Sequence, residues 1–288
     1  PHAIQTIGVV GAGQMGAGIA LVAALAGCEV LLYDVHAGSL DAALEKIHKG
    51  FAKQIQEGLL STSEGEVALR RIRTTHTLDE MADRHLILEA APEILELKCE
   101  LFRQLGVICK PEVVLVSNTS SISITKLGAM SGRDALVAGM HFMNPVPVMK
   151  LVELVRGLRT SNETIALLAE LAERMGKMTV ESKDFPGFIV NRLLMPMVNE
   201  AIFALAEGIA SAEAIDKAMV YGTNHPIGPL ALADRIGLDT VLSICEILYQ
   251  ELGDPKFRPC PLLRKYVEAG WLGRKASRGF YIYKHSSM

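Results

Sequence analysis

The chain has 288 residues, a formal net charge of −3 and 50% hydrophobic residues. That length accommodates two domains with substantial cores, and its scattered charges form no basic face for nucleic acid. No apolar stretch approaches the roughly 18 uninterrupted residues of a membrane-spanning helix.

The first predicted element, Thr6–Val10, is an apolar strand followed by Gly11-Ala12-Gly13-Gln14-Met15-Gly16 and an Ala/Leu/Val-rich helical stretch at 19–26. Strand, glycine turn and helix are the setting in which this spacing binds a dinucleotide. Gly11 permits the tight turn, Gly13 lets the backbone approach a pyrophosphate, and Gly16 allows close helix–strand packing. The helix start at Gln14 and Met15 offers amides to the phosphates. A second strand, Glu29–Tyr33, ends at Asp34. A carboxylate there meets the ribose hydroxyls and repels a 2′-phosphate, which selects NAD over NADP.

Between Asp34 and His85 no strand is predicted. Residues 44–56 have a helical pattern, so the excursion reads as a helical hairpin inserted in a doubly wound sheet, with Arg70-Arg71-Ile72-Arg73 as solvated helix ends. Strands follow at 85–89, 113–117, 136–141, 151–155 and 178–181, several almost wholly apolar, as in a parallel sheet covered on both faces. After Asp184-Phe185-Pro186-Gly187 the pattern turns helical at 188–207, 212–220, 230–236 and 240–251, with Pro196 expected to kink the first helix. The expected class is therefore α/β. A Rossmann-type doubly wound sheet with a helical hairpin insertion occupies 1–184, and an all-α domain, apolar enough to bury surface against a partner, occupies 185–288.

The five cysteines (Cys28, Cys99, Cys109, Cys245, Cys260) are odd in number and form no close ligand pair. They read as buried thiols of a reducing compartment, with no metal expected. The first residues lack the basic and apolar regions of a signal peptide. A cytoplasmic protein is expected, with Pro1-His2 a processing remnant.

Two polar residues flank a proline-rich turn: His141, before Phe142-Met143-Asn144-Pro145-Val146-Pro147, and Glu153, after Lys150-Leu151-Val152. If the flanking strands pair antiparallel about a turn near Pro147, His141 and Glu153 face each other with Cβ atoms about 4.5–5.5 Å apart. A one-residue slip would turn them to opposite faces. Oxidising an alcohol needs a base for the hydroxyl proton while hydride leaves carbon. An imidazole of ordinary pKa near 6.5 can take that proton, and a carboxylate behind it fixes the tautomer and favours the cation.

Taken together, these motifs resemble the L-3-hydroxyacyl-CoA dehydrogenase family, in particular its short, stand-alone bacterial 3-hydroxybutyryl-CoA branch. The resemblance covers essentially the whole chain. It rests on Gly11–Gly16, Ser117-Asn118-Thr119-Ser120-Ser121, the segment His141 to Glu153, and Pro186-Gly187-Phe188-Ile189-Val190-Asn191-Arg192. His225-Pro226-Ile227-Gly228-Pro229-Leu230, Gly237-Leu238-Asp239-Thr240 and Gly279-Phe280-Tyr281 match as well. The resemblance implies NAD-dependent interconversion of (3S)-3-hydroxyacyl-CoA and 3-oxoacyl-CoA, a β-oxidation-type reaction, with His141 as acid/base and Glu153 as its orienting partner. It implies that Ser120 bonds the substrate's 3-oxygen beside the nicotinamide and that Asn191 contacts the substrate from the second domain. Glu93, Lys98, Asn144 and Lys275 would join Asp34 at the cofactor, and the helical domain would form a homodimer interface.

The family also carries basic residues for the CoA phosphates on the helix after the second strand. Here Lys46, Lys49 and Lys53 recur on one helical face, but Gln56 and Glu57 stand where relatives often have further lysines. A related dehydrogenase acting on a free sugar acid such as L-gulonate would not need that face. A non-catalytic NAD-binding protein would not need Ser120, His141, Glu153 and Asn191 together.

Overall fold

A computed structural model describes residues 3–284, so Pro1-His2 lie outside the described residues. The chain divides after Phe185 into two compact units.

The first unit holds one eight-stranded sheet in the order β3-β2-β1-β4-β5-β6-β7-β8. Its strands are β1 Thr6–Val10, β2 Glu29–Tyr33, β3 Ile72–Thr75, β4 Leu86–Glu89, β5 Val114–Ser117, β6 Val137–Phe142, β7 Leu151–Arg156 and β8 Met178–Lys183. Strands β1 to β6 are parallel, β7 runs antiparallel to β6, and β8 is parallel to β7. Strands β4, β5 and β6 are buried at every position, which is why they read as apolar runs broken only by Glu89, Ser117 and His141. Helices α1 Gln14–Leu25, α2 Ala37–Gln56, α3 Thr62–Arg70, α4 Leu95–Ile108, α5 Ile124–Ser131 and α6 Asn162–Arg174 complete the unit.

The hairpin expected after Asp34 is α2 and α3, the latter opened by a Ser61/Glu64 capping box. The strand-free reading of this region is corrected by β3, which pairs in parallel with β2 at the sheet edge. Its sequence, Ile72-Arg73-Thr74-Thr75, buries only Thr75 fully, so it carried no apolar run to read. Arg71 is not a solvated helix end either: its guanidinium donates to the carbonyl of Ala24 at 3.1 Å.

The second unit is built from α7 Val190–Ala206, α8 Ala212–Thr223, α9 Pro229–Ile236, α10 Leu238–Leu252 and α11 Pro261–Glu268. Met195, Val198, Ile202, Leu230, Val241 and Leu263 lie in its core. Helix α7 runs through Pro196. Helix α11 is additional to the four expected; its eight residues expose much of their length and bury only Leu263 fully. The tail after it holds one 3-10 turn, Arg274–Ala276, and folds back through bridges between Gly273 and Arg278 and between Arg278 and Ile282.

Candidate active site

Strands β1, β2, β4, β5 and β6 end on the same edge, and the strand order reverses between β1 and β4, where open α/β sheets take ligands. The glycine turn sits at this reversal. Gly11 adopts φ +106°, and a Cβ on it would lie 2.5 Å from the Ala90 carbonyl oxygen. A Cβ on Gly16 would lie 1.8 Å from the carbonyl oxygen of Gly11. Backbone excludes a side chain at both positions. Gly13 instead faces open space, and it caps α1 without a side-chain acceptor, so the first amides of α1 meet a pocket.

Asp34 Oδ2 accepts from Ala12 N at 2.9 Å and Oδ1 from His36 N at 3.0 Å. These bonds fix the carboxylate at the rim of a groove of about 490 Å³ bounded by Gly11, Gly13, Gln14, Met15, Ser39 and Pro92. Bare amides at a helix start, with an acid one strand away, fit the pyrophosphate and ribose of a dinucleotide.

The β6–β7 register pairs His141 with Glu153. His141 Nδ1 lies 2.7 Å from Glu153 Oε2, with Glu153 0% and His141 8% exposed. An ionised carboxylate can only accept, so Nδ1 carries the hydrogen, and proton exchange with a substrate falls to Nε2. The buried carboxylate stabilises the imidazolium that such exchange creates.

The turn between these strands holds Asn144, which is exposed and precedes a cis Pro145. Lys177, at the foot of β8, donates to the carbonyls of Val146 and Met149, and burial pushes its amine below the usual range. Asn118 accepts from Phe142 N at 2.9 Å, tying the loop after β5 to the residue following His141.

That loop carries Ser120, and Glu93 governs it. Glu93 Oε1 accepts from the hydroxyls of Thr119 and Ser121 and from the amides of Ser120 and Ser121. Burial raises the Glu93 carboxyl, but the Lys98 charge and these donors outweigh burial and hold it below the usual carboxylate range. Lys98 is enclosed at 1% exposure, its ammonium 2.6 Å from Glu89 and 3.4 Å from Glu93. The cap of α5 is Ser123, whose hydroxyl accepts from Lys126 N.

Sequence reading missed Glu89 and Lys177, and it named Ser117 and Thr119 only as part of a motif, without a role. Glu89 had a signal: like Asp34, it is an acid ending an otherwise apolar strand.

A second groove, about 600 Å³, runs between α1, α2 and the turn after His141 and is lined by Lys46, Lys49, Lys53, Glu57, Pro145 and Pro147. Two lysines already have acidic neighbours one helical turn away, Glu45 at 2.6 Å from Lys49 and Glu57 at 3.8 Å from Lys53. In the second unit Asn191 stands half-buried in the first turn of α7. Lys275 lies in the 3-10 turn of the tail, paired with Asp239 at 2.6 Å.

Residues 6–185 match the family model described as 3-hydroxyacyl-CoA dehydrogenase, NAD binding domain, and residues 187–283 match its C-terminal domain. The chain is 53% identical to a probable 3-hydroxybutyryl-CoA dehydrogenase of Bacillus subtilis, covering 99% of both chains. It is 52% identical to the 3-hydroxybutyryl-CoA dehydrogenase of Bradyrhizobium diazoefficiens, over 98% of this chain and 96% of that one. The crystal structure of (S)-3-hydroxybutyryl-CoA dehydrogenase from Ralstonia eutropha superposes with a TM-score of 0.95 at 46% identity, covering 98% of this chain and 100% of the other. The glycine turn at the sheet's reversal and the buried His141–Glu153 pair thus stand in a chain that belongs to the 3-hydroxyacyl-CoA dehydrogenase family.

Proposed function

We propose that the protein interconverts (3S)-3-hydroxyacyl-CoA and 3-oxoacyl-CoA with NAD, and that its preferred pair is 3-hydroxybutyryl-CoA and acetoacetyl-CoA. The observation that carries this reading is the 2.7 Å His141–Glu153 contact on the sheet edge that also holds the glycine turn. The names of the relatives support the short acyl chain.

Bound NAD supplies the hydride acceptor. His141 takes the 3-hydroxyl proton at Nε2 during oxidation and returns it during reduction, while Glu153 steadies the cation without carrying the substrate proton. Ser120 hydrogen-bonds the 3-oxygen, and Asn191 makes a further substrate contact. Gly11, Gly13, Gln14, Met15 and Gly16 receive the pyrophosphate and Asp34 the ribose. Glu93, with Lys98 behind it, and Asn144 and Lys275 complete the cofactor site. The deciding assay follows NADH oxidation with acetoacetyl-CoA, then with longer 3-oxoacyl-CoAs. Turnover of a free sugar acid with none of a CoA thioester would transfer the reading to the L-gulonate type.

Asp34 should make the enzyme strongly prefer NADH, because its carboxylate, held by two amides, repels a 2′-phosphate. Comparing kcat/KM for NADH and NADPH checks this, and equal values would remove Asp34 as the discriminating acid.

The groove lined by Lys46, Lys49 and Lys53 suits the CoA phosphates. Lys53→Ala should raise KM for acetoacetyl-CoA severalfold and leave NADH binding unchanged. Glu57→Gln should lower that KM, since it frees Lys53 from its acidic neighbour. An unchanged KM in both variants would make these lysines a solvated face.

A homodimer formed mainly through residues after 185 belongs to the same reading. It is supported by large apolar side chains left exposed on α7 and near α8, Leu193 at 69%, Ile209 at 71% and Tyr221 at 84%. Light scattering at micromolar concentration should give the mass of two chains, and a single-chain mass would contradict it. A cytoplasmic setting fits the five buried free cysteines.

A further inference from the structure

Glu89 ends β4 with 0% exposure, yet no step of the reaction above uses it. It accepts from Lys98 Nζ at 2.6 Å, Ser117 Oγ at 2.6 Å and Ala91 N at 2.7 Å. Burying a carboxylate costs several kcal/mol unless it is paired and fully bonded, so the arrangement asks for a purpose beyond packing.

The bonds lead to one place. Ser117 Oγ, its hydrogen directed to Glu89, accepts from Thr119 N at 3.1 Å. Lys98, shared between two carboxylates, sits 2.6 Å from Glu89 and 3.4 Å from Glu93. Glu93 in turn gathers the hydroxyls of Thr119 and Ser121 and the amides of Ser120 and Ser121. Thr119 Oγ1 also accepts from Ile122 N at 2.9 Å. The hydroxyls on either side of Ser120 are thus consumed in holding the loop, whereas that of Ser120 makes no hydrogen bond among the described residues.

We propose that Glu89 is a positioning residue for Ser120: through Ser117 it holds the loop from β5, and through Lys98 it sets how far Glu93 is drawn from the loop amides. The proposal rests on the reading of Ser120 as the hydroxyl that meets the substrate's 3-oxygen. Were the Glu89 charge absent, Glu93 would be the one carboxylate within 4 Å of the Lys98 ammonium. Glu93 would then move toward Lys98 and loosen its hold on the amides of Ser120 and Ser121. The active-site hydroxyl would lose its fixed orientation, and misplacement of about 1 Å can cost on the order of 10² in rate.

Glu89→Gln is the variant that isolates this effect. The amide oxygen can keep the bonds to Lys98 and Ala91 N while its NH₂ group meets Ser117, so shape is preserved and charge is lost. In the full-length protein, hydrogen exchange of a peptide spanning 117–123 should quicken at least about tenfold, the factor expected when a charge-assisted bond is lost. With acetoacetyl-CoA and NADH, kcat should fall about tenfold or more, a larger change than any rise in KM for NADH, whose site Glu93 also borders. In a Ser120→Ala background Glu89→Gln should cost less than about twofold more, because residues acting through one group are non-additive. Ser117→Ala, which keeps the buried ion pair, should show the same pattern with smaller losses, so the test survives poor folding of Glu89→Gln.

Unchanged exchange, or a kcat loss that multiplies in full with that of Ser120→Ala, would overturn the proposal. So would faster exchange with kcat intact in a protein where Ser120→Ala is impaired. If the parent enzyme is inert on acetoacetyl-CoA, or Ser120→Ala is fully active, the role of Ser120 fails and the positioning claim with it. The exchange arm still reports in that case whether Glu89 holds the loop, so the two failures remain distinguishable.

Discussion

His141→Gln should lower kcat for acetoacetyl-CoA reduction by at least about 10²–10⁴, the range of general acid–base catalysis, with NADH affinity largely retained. Within the dyad it is the imidazole, through Nε2, that exchanges a proton with the 3-oxygen, because Glu153 is occupied at Nδ1. Glutamine keeps the volume but neither gains nor loses a proton. Glu153→Gln should also lower kcat, because an amide cannot stabilise the imidazolium 2.7 Å away and can offer Nδ1 a donor instead of an acceptor. Its side chain is 0% exposed, so no water stands in for the lost charge. The double variant should be little slower than His141→Gln alone, since Glu153 acts through His141. Steady-state rates for the four proteins, with NADH affinity measured by fluorescence, complete the cycle, and fully multiplicative losses would end the dyad reading.

The dyad was legible before any coordinates because two strict rules met in one segment. Strand side chains alternate, and Pro145 and Pro147 located the turn, so the pairing of His141 with Glu153 followed from counting. The glycine turn and Asp34 were legible for the same reason: each sits at the end of a buried apolar strand, where local pattern is strongest. What escaped was held by long-range bonds. Strand β3 lies at the sheet edge and shows no apolar run. Glu93 and Lys98 came only with the resemblance, and Glu89 not at all: Glu89 and Glu93, with Lys98 between them, hold Ser117 to Ser121 from 28 and 27 residues upstream, and nothing in local spacing encodes that meeting.

The motifs near the end of the chain illustrate the same limit. Gly279-Phe280-Tyr281 had no physical reason in the sequence, and Asp234 supplies one. This aspartate, 1% exposed on α9, accepts from Phe280 N at 2.9 Å and Tyr281 N at 3.0 Å. A Cβ on Gly279 would lie 2.0 Å from its Oδ1, so only glycine lets the tail approach. Asp216 does the equivalent for the start of α9. It accepts from Leu230 N and Ala231 N, while a Cβ on Gly228 would lie 2.2 Å from the Asp216 side chain. A buried carboxylate dictates the glycine in each case, 12 positions away for Gly228 and 45 for Gly279.

Asp234→Ala is therefore expected to be among the most damaging changes outside the active site. It strips the acceptor from two backbone amides and from the Tyr283 hydroxyl, which donates at 2.9 Å. Each buried donor left unmet costs about 1–3 kcal/mol; with partial relaxation the total should be about 3–5 kcal/mol, lowering the melting midpoint by roughly 10 °C or more. Asp234→Asn, which keeps one acceptor oxygen, should lose about half as much. Thermal melts of the two variants decide this, and a loss under about 1 kcal/mol in Asp234→Ala would show that water or rearrangement satisfies the tail. The same network predicts the alkaline behaviour. Burial, then the bonds to Asp216 and Asp234, push the phenols of Tyr281 and Tyr283 upward, Tyr283 to about 12. A group whose folded-state pKa is raised contributes stability that is complete below its unfolded value, about 10 for tyrosine, and is lost as pH climbs through the folded value. The parent protein should thus weaken between about pH 10 and 12. Asp234→Ala, having surrendered the Tyr283 share in advance, should show a shallower fall in melting midpoint over that interval.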